Sequence, residues 1–153
     1  EAPYINHPLE VARILVEEGG VSEATVLAAA ILHDTVEDTR TTPEEIESLF
    51  GPVVRDLVME VTDDKVLLKE TRKRLQIDNA PKKSSGAAMI KLADKIANLR
   101  DVASRPPAHW QLGRRIEYAG WATITSEEGR ERILDQTAGN RVVALCFECL
   151  HAR

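Results

Sequence analysis

The sequence predicts an all-α protein. Apolar residues recur at helical spacing along most of the chain. Few runs alternate with the period of two that marks strands. Helix start and stop signals punctuate the chain throughout.

The first helix opens at Pro8, with His7 as cap and Val11, Ala12, Ile14 and Leu15 as its apolar residues. Gly19-Gly20 ends it. A second helix is expected over 23–37. Thr42-Pro43-Glu44-Glu45 combines a Thr cap, a proline at the first helical position and Glu at the third, as in a capping box. That helix stops near Gly51, and another covers 52–61. Thr62-Asp63-Asp64-Lys65 reads as a polar turn. A charged helix over 67–80 carries Lys69, Arg72, Lys73 and Arg74 and is stopped by Pro81. Ser84-Ser85-Gly86 leads into a long helix over 87–104, broken by Pro106-Pro107. Helices over 112–125 and after Gly139-Asn140 complete the pattern. No internal repeat or low-complexity tract interrupts it.

The chain of 153 residues is read as one domain over 1–153. It is 43% hydrophobic and 29% charged, the composition of a globular protein with a real core. A net charge of −5 argues against a nucleic-acid partner. No apolar stretch approaches the ~20 residues that span a bilayer, and no signal peptide opens the sequence, so no membrane partner is expected. The two cysteines, Cys146 and Cys149, are too few for a disulfide framework. A reduced, cytoplasmic protein is the expectation.

The most informative segment is His33-Asp34-Thr35-Val36-Glu37-Asp38, which closes the apolar run Val26-Leu27-Ala28-Ala29-Ala30-Ile31-Leu32. On a continuous helix, Glu37 lies one turn beyond His33, and Asp38 one turn beyond Asp34. All four side chains then face one cavity. Burying so many ionisable groups is costly unless they are paired or hold a cation.

Asp94 borders the apolar face of the long helix, with Asn98 one turn further on. His7, His33, Asp34 and Asp94 fall on three predicted helices, which a bundle can bring to one point. Two imidazoles and two carboxylates form a mixed nitrogen and oxygen set that suits Mn²⁺, Fe²⁺ or Zn²⁺. Such an ion acidifies water and offers a Lewis acid to a phosphoryl oxygen. Glu37 and Asp38 are placed to orient or deprotonate the water. A phosphorylated substrate also needs cations, and Lys65, Lys69, Arg72, Lys73, Lys91, Lys95, Arg100, Arg114 and Arg115 are available. Arg114 and Tyr118, four apart, share one helix face.

With these residues in place, the chain resembles the HD-domain metal-dependent phosphohydrolases. Pro3-Tyr4-Ile5-Asn6-His7-Pro8, 29–39, 61–65, 72–76 and 91–101 are similar to the guanosine tetraphosphate (ppGpp) hydrolases. These are the hydrolase domains of the Rel/Spo proteins and the stand-alone small alarmone hydrolases, including the animal SpoT homologue. The likeness runs over about 3–121, and the spacing around Trp110 and Trp121 is similar to the stand-alone branch. It implies Mn²⁺ held by His7, His33, Asp34 and Asp94, with Glu37 and Asp38 acting on the attacking water. It implies that Lys69, Asn98, Arg114 and Tyr118 hold the nucleotide. The implied reaction removes the 3′-pyrophosphate of ppGpp or pppGpp, leaving GDP or GTP, and the branch can also remove the 2′-phosphate of NADPH.

The chain departs from the family pattern at both ends. Family members carry a helix and a basic Arg-Lys pair upstream of the Tyr-Ile-Asn-His-Pro segment, and this sequence begins at Glu1 without them. Residues 122–153 form a divergent tail. Two alternatives stand beside the alarmone hydrolase: a phosphatase of this fold for another nucleotide such as NADPH, and a non-catalytic nucleotide-binding module. Intact Glu37-Asp38 argues against the second.

Overall fold

The computed structural model describes residues 4–130, 141–146 and 148. Among them every regular element is helical and no strand occurs. The expected signal at Gly139-Asn140, and Cys149, lie outside the described residues; 141–146 are helical. Among the described residues no helix is long and apolar enough to cross a membrane.

Helix α1, Asn6–Arg13, runs on into a wide π turn, Ile14–Glu18. It starts earlier than the expected Pro8. Ile5 is the cap, because the chain already turns at Tyr4, whose carbonyl accepts from His7 N at 3.3 Å. Pro8 is thus the third helical residue, still within the first turn, where an N–H has no intrahelical partner to lose. His7 is therefore a helical residue rather than a cap.

The expected helix over 23–37 is two helices, α2, Ala24–Leu32, and α3, Thr35–Asp38. Side chains cause the break. The His33 ring nitrogen Nδ1 lies 2.7 Å from the Ala30 carbonyl, and Thr35 Oγ1 donates to the Leu32 carbonyl at 2.6 Å. Side-chain donors that capture carbonyls compete with the helix ladder at that point. Asp34 takes φ −101° and ψ −3°, and the chain re-enters a helix at Thr35.

Helices α4, Pro43–Phe50, and α5, Pro52–Val61, follow the sequence signals closely. The Thr42–Glu45 capping box is formed in both directions, at 3.2 and 2.8 Å. Gly51, at φ +88°, joins the two helices through a backbone conformation that side-chain-bearing residues rarely adopt. Helix α6, Lys69–Asn79, ends in a 3₁₀ turn, Ala80–Lys82, that contains Pro81. Helix α7, Ser85–Ser104, is capped by Ser84 Oγ, which accepts from Ala87 N. Helix α8, Leu112–Arg130, continues beyond the expected end at Thr125.

Helix α7 is the centre of the molecule. It is buried around almost its whole circumference from Gly86 to Ala97, the signature of a helix enclosed by others. Gly86 permits the closest approach: a Cβ there would meet Leu57 Cδ2 at 3.0 Å and Val26 Cγ2 at 3.2 Å. Helices α1, α2, α5 and α8 all pack on α7. Val11, Ile14, Ala29, Ala30, Ile90, Ala93 and Ile96 are fully buried at these contacts. Each large aliphatic side chain among them contributes about 1.5–3 kcal/mol. This packing sets α1, α2 and α7 side by side, which decides where the polar side chains meet. Ile90→Ala is expected to lower unfolding stability by about 2–5 kcal/mol, read from urea denaturation. A wild-type midpoint would show that α7 does not anchor the core.

Candidate metal centre

His33 is 2% exposed at the end of α2. A carbonyl only accepts, so the 2.7 Å contact with Ala30 places a proton on Nδ1. That leaves Nε2 of the neutral ring with its lone pair directed inward. Nε2 is buried and makes no hydrogen bond among the described residues. Around it stand Asp34 Oδ1 at 3.2 Å and Asp94 Oδ1 at 3.9 Å. His7 Nε2, from α1, lies 3.0 Å from the same Asp94 oxygen. Ligand atoms of His7, His33 and Asp94 all fall within 4.8 Å of one another. A buried, unpartnered imidazole nitrogen beside a second imidazole and carboxylates fits a divalent metal. Ring tautomer held by a carbonyl on Nδ1 is the usual second contact of such a ligand.

The electrostatics agree. Burial alone would raise the Asp94 carboxyl, but His7, Lys95, Lys91 and His33 hold it well below the usual range. The bond to Asp94 raises His7. Burial would lower His33, yet Asp34 and Asp94 raise it above its ordinary value. The cluster is thus built to hold positive charge, and a metal ion competes for it with protons.

Four of the expected site residues, His7, His33, Asp34 and Asp94, are brought together. Asn98 joins them, its Nδ2 donating to Asp94 Oδ1 at 2.7 Å. Glu37 and Asp38 sit on α3, but not through the continuous helix expected. Glu37 is mostly buried, its carboxyl raised by that burial against the opposing Asp63 N–H, Lys91 and Lys65. Asp38 is more exposed and accepts from Lys65 Nζ. Lys91 attracts both Glu37 and Asp94, so these carboxylates border one region. Tyr4 belongs there too: burial first, then Asp34, Asp38 and Glu37, push its hydroxyl up to about 12.

Tyr118 is half-buried on α8, its hydroxyl pushed up by burial and by Asp94. Its ring lies 5.7 Å from Trp110 and 5.5 Å from Trp121. The Arg114 guanidinium lies 5.1 Å over the Trp110 ring and bonds Glu117 at 2.7 Å. Asn98, Asp101, Arg105, Trp110 and Tyr118 line a groove of about 450 Å³ next to the His–Asp cluster, through the bond of Asn98 to Asp94. A second groove of about 530 Å³ shares Asp101 and Arg105 and reaches His7. Lys69 is not brought to the cluster: it is exposed at the start of α6, and no described contact ties it to the ligands.

Some residues escape sequence reasoning. Lys95 is expected only as one of several cations available to a phosphorylated substrate, but it is 4% exposed, 3.8 Å from Asp94 Oδ2 and 4.1 Å over the Trp121 ring. Burial lowers it to about 8, against the attraction of Asp94. Its place among apolar neighbours in 90–97 was the available signal. Asp63 touches Glu37 through its backbone N–H, which no side-chain pattern announces.

Comparison with known proteins bears on this geometry. A profile of the HD domain matches residues 1–126. The guanosine-3′,5′-bis(diphosphate) 3′-pyrophosphohydrolase MESH1 of Xenopus tropicalis is 58% identical over 137 residues, covering 88% of this chain and 76% of that protein. Its Homo sapiens counterpart of the same name is 53% identical over 136 residues, with 88% and 76% covered. The solved structure of a metazoan ortholog of SpoT, described as hydrolysing ppGpp with a role in starvation responses, matches with a TM-score of 0.90. It is 45% identical, over 97% of this chain and 80% of that one. The HD signature, the helical fold and the His–Asp cluster therefore agree: the chain belongs to the HD-domain family, in the branch of the MESH1 and SpoT-like proteins.

Proposed function

We propose that this protein is a Mn²⁺-dependent 3′-pyrophosphohydrolase of ppGpp and pppGpp, releasing pyrophosphate and leaving GDP or GTP. The observation that carries the reading is the unpartnered, buried Nε2 of His33 facing Asp34, Asp94 and His7. The named activity of relatives at 53–58% identity supplies the substrate class. His7, His33, Asp34 and Asp94 would hold the ion, whose mixed nitrogen and oxygen donors suit Mn²⁺. When bound, it supplies Lewis-acid charge to a phosphoryl oxygen.

The chain's own residues do the rest. Water attacks the phosphorus attached to the ribose 3′-oxygen; a new P–O bond forms and the P–O3′ bond breaks. Glu37 takes the proton of the attacking water, and the 3′-oxygen leaves with the P–O electron pair and takes a proton from solvent water to become a hydroxyl. Asp38, held by Lys65, orients that water. Asn98 fixes Asp94 and borders the nucleotide groove. Tyr118 and Arg114, against Trp110, give the groove an aromatic wall and a cation for the ribose or phosphates. Cys146, a buried thiol that donates to Ser126 Oγ at 3.2 Å, fits a reducing, cytoplasmic compartment. NADPH is the second substrate for the same site.

The direct test is incubation of purified protein with ppGpp, with Mn²⁺ or with EDTA, resolving GDP and pyrophosphate. Metal-dependent release of both is expected. Turnover unaffected by EDTA, or release from NADPH alone, would overturn the reading.

Glu37→Gln is expected to keep its metal and lose about 10²–10⁴-fold in kcat. The sign of the pH dependence follows from burial. A proton acceptor must be ionised, and burial raises the Glu37 carboxyl. The acid loss of kcat at saturating Mn²⁺ therefore begins at higher pH than for an exposed glutamate. The residual activity of Glu37→Gln is expected to lack that limb. Wild-type turnover or an unchanged profile in the variant would remove Glu37 from the mechanism.

A further inference from the structure

Helix α3 is a single turn with no buried residue. It carries Glu37; its Val36 packs on the core only partly buried, and that contact does not orient Glu37, so the carboxylate has to be fixed from outside. The loop over 62–68 and helix α6 supply that hold. Asp63 N–H donates to Glu37 Oε2 at 3.3 Å. The Asp63 carboxylate in turn accepts from Gln76 Nε2. A carboxylate is acceptor-only, so the contact orients the Gln76 amide with its nitrogen towards Asp63. Gln76 Oε1 stays buried without a hydrogen bond among the described residues. The amide is therefore held by Asp63 rather than shared with other partners. Arg72, one turn before Gln76 on α6, brings Nη1 to 3.9 Å from Glu37 Oε1.

We propose that Gln76 and Asp63 are positioning residues for Glu37, forming one chain from α6 through the 62–68 loop to α3. Gln76 fixes the Asp63 side chain, which aims the Asp63 N–H at one oxygen of Glu37. The other oxygen faces Lys65 and Arg72 at 3.8 and 3.9 Å, beyond hydrogen-bond reach, and is left for the water proton. This rests on the reading of Glu37 as proton acceptor. A group displaced by about 1 Å from its productive place costs as much as 10²-fold in rate.

The test is a double-mutant cycle on the full chain with Mn²⁺ and ppGpp. Gln76→Leu is expected to lower kcat about tenfold, with KM and metal content unchanged. In the Glu37→Gln background the same change is expected to cost nothing further, because the group it positions is gone. Losses that multiply in the double variant would overturn the proposal, as would wild-type kcat in Gln76→Leu beside a crippled Glu37→Gln. Full turnover by Glu37→Gln alone would overturn the Glu37 reading and this proposal with it. If Gln76→Leu loses its helical circular dichroism, Asp63→Ala is taken through the same cycle, with the same outcomes deciding.

Discussion

Asp94 is a carboxylate enclosed in the middle of the central helix, and the rest of the molecule is arranged around that fact. An unpaired charge at such a depth is very costly. It is tolerated because α1 brings His7 to 3.0 Å, Asn98 donates at 2.7 Å and Lys95 stands 3.8 Å away. Lys95 is itself buried, and its ammonium is covered by the Trp121 ring. His7 comes from α1, which packs on α7, while Asn98 and Lys95 stand on α7 itself. The core thus does not merely surround the cluster; it sets the distances within it.

The same arrangement explains why the chemistry sits where it does. His7 and Asp94 stand on α1 and α7, packed at the core, and His33 and Asp34 at the junction of α2 and α3, whereas Glu37 and Asp38 are on one short turn beside the 62–68 loop. Rigid donors suit a site that must hold an ion with fixed geometry. A proton acceptor on a lightly anchored turn can be aimed by hydrogen bonds and kept above its ordinary range by burial. A groove lined by Asn98, Asp101, Trp110 and Tyr118 lies along the end of α7, where Asn98 bonds Asp94.

Much of this was legible in the sequence, for identifiable reasons. The Thr42 capping box, the Ser84 start of α7 and the Gly51 junction are local, and local chemistry decides them. The gathering of His7, His33, Asp34 and Asp94 was legible because ionisable residues inside apolar runs need one another. The break between α2 and α3 was not. Periodicity sees an unbroken helix, while the outcome turns on His33 and Thr35 capturing carbonyls. The early start of α1 was hidden likewise, since Pro8 is tolerated anywhere in the first turn. Lys69, Arg114 and Tyr118 were indicated only by the family resemblance. Of these, Tyr118 lines the groove, Arg114 packs on its Trp110 wall, and Lys69 stands apart from both.

The central claim is that the buried His33 nitrogen marks a metal centre made by three helices. Anomalous diffraction at the manganese edge, on crystals grown with Mn²⁺, tests it most directly. The account predicts one strong peak among His7 Nε2, His33 Nε2, Asp34 and Asp94. A peak elsewhere with this position empty, or His33 Nε2 found protonated against Asp34 in the presence of excess Mn²⁺, would contradict it.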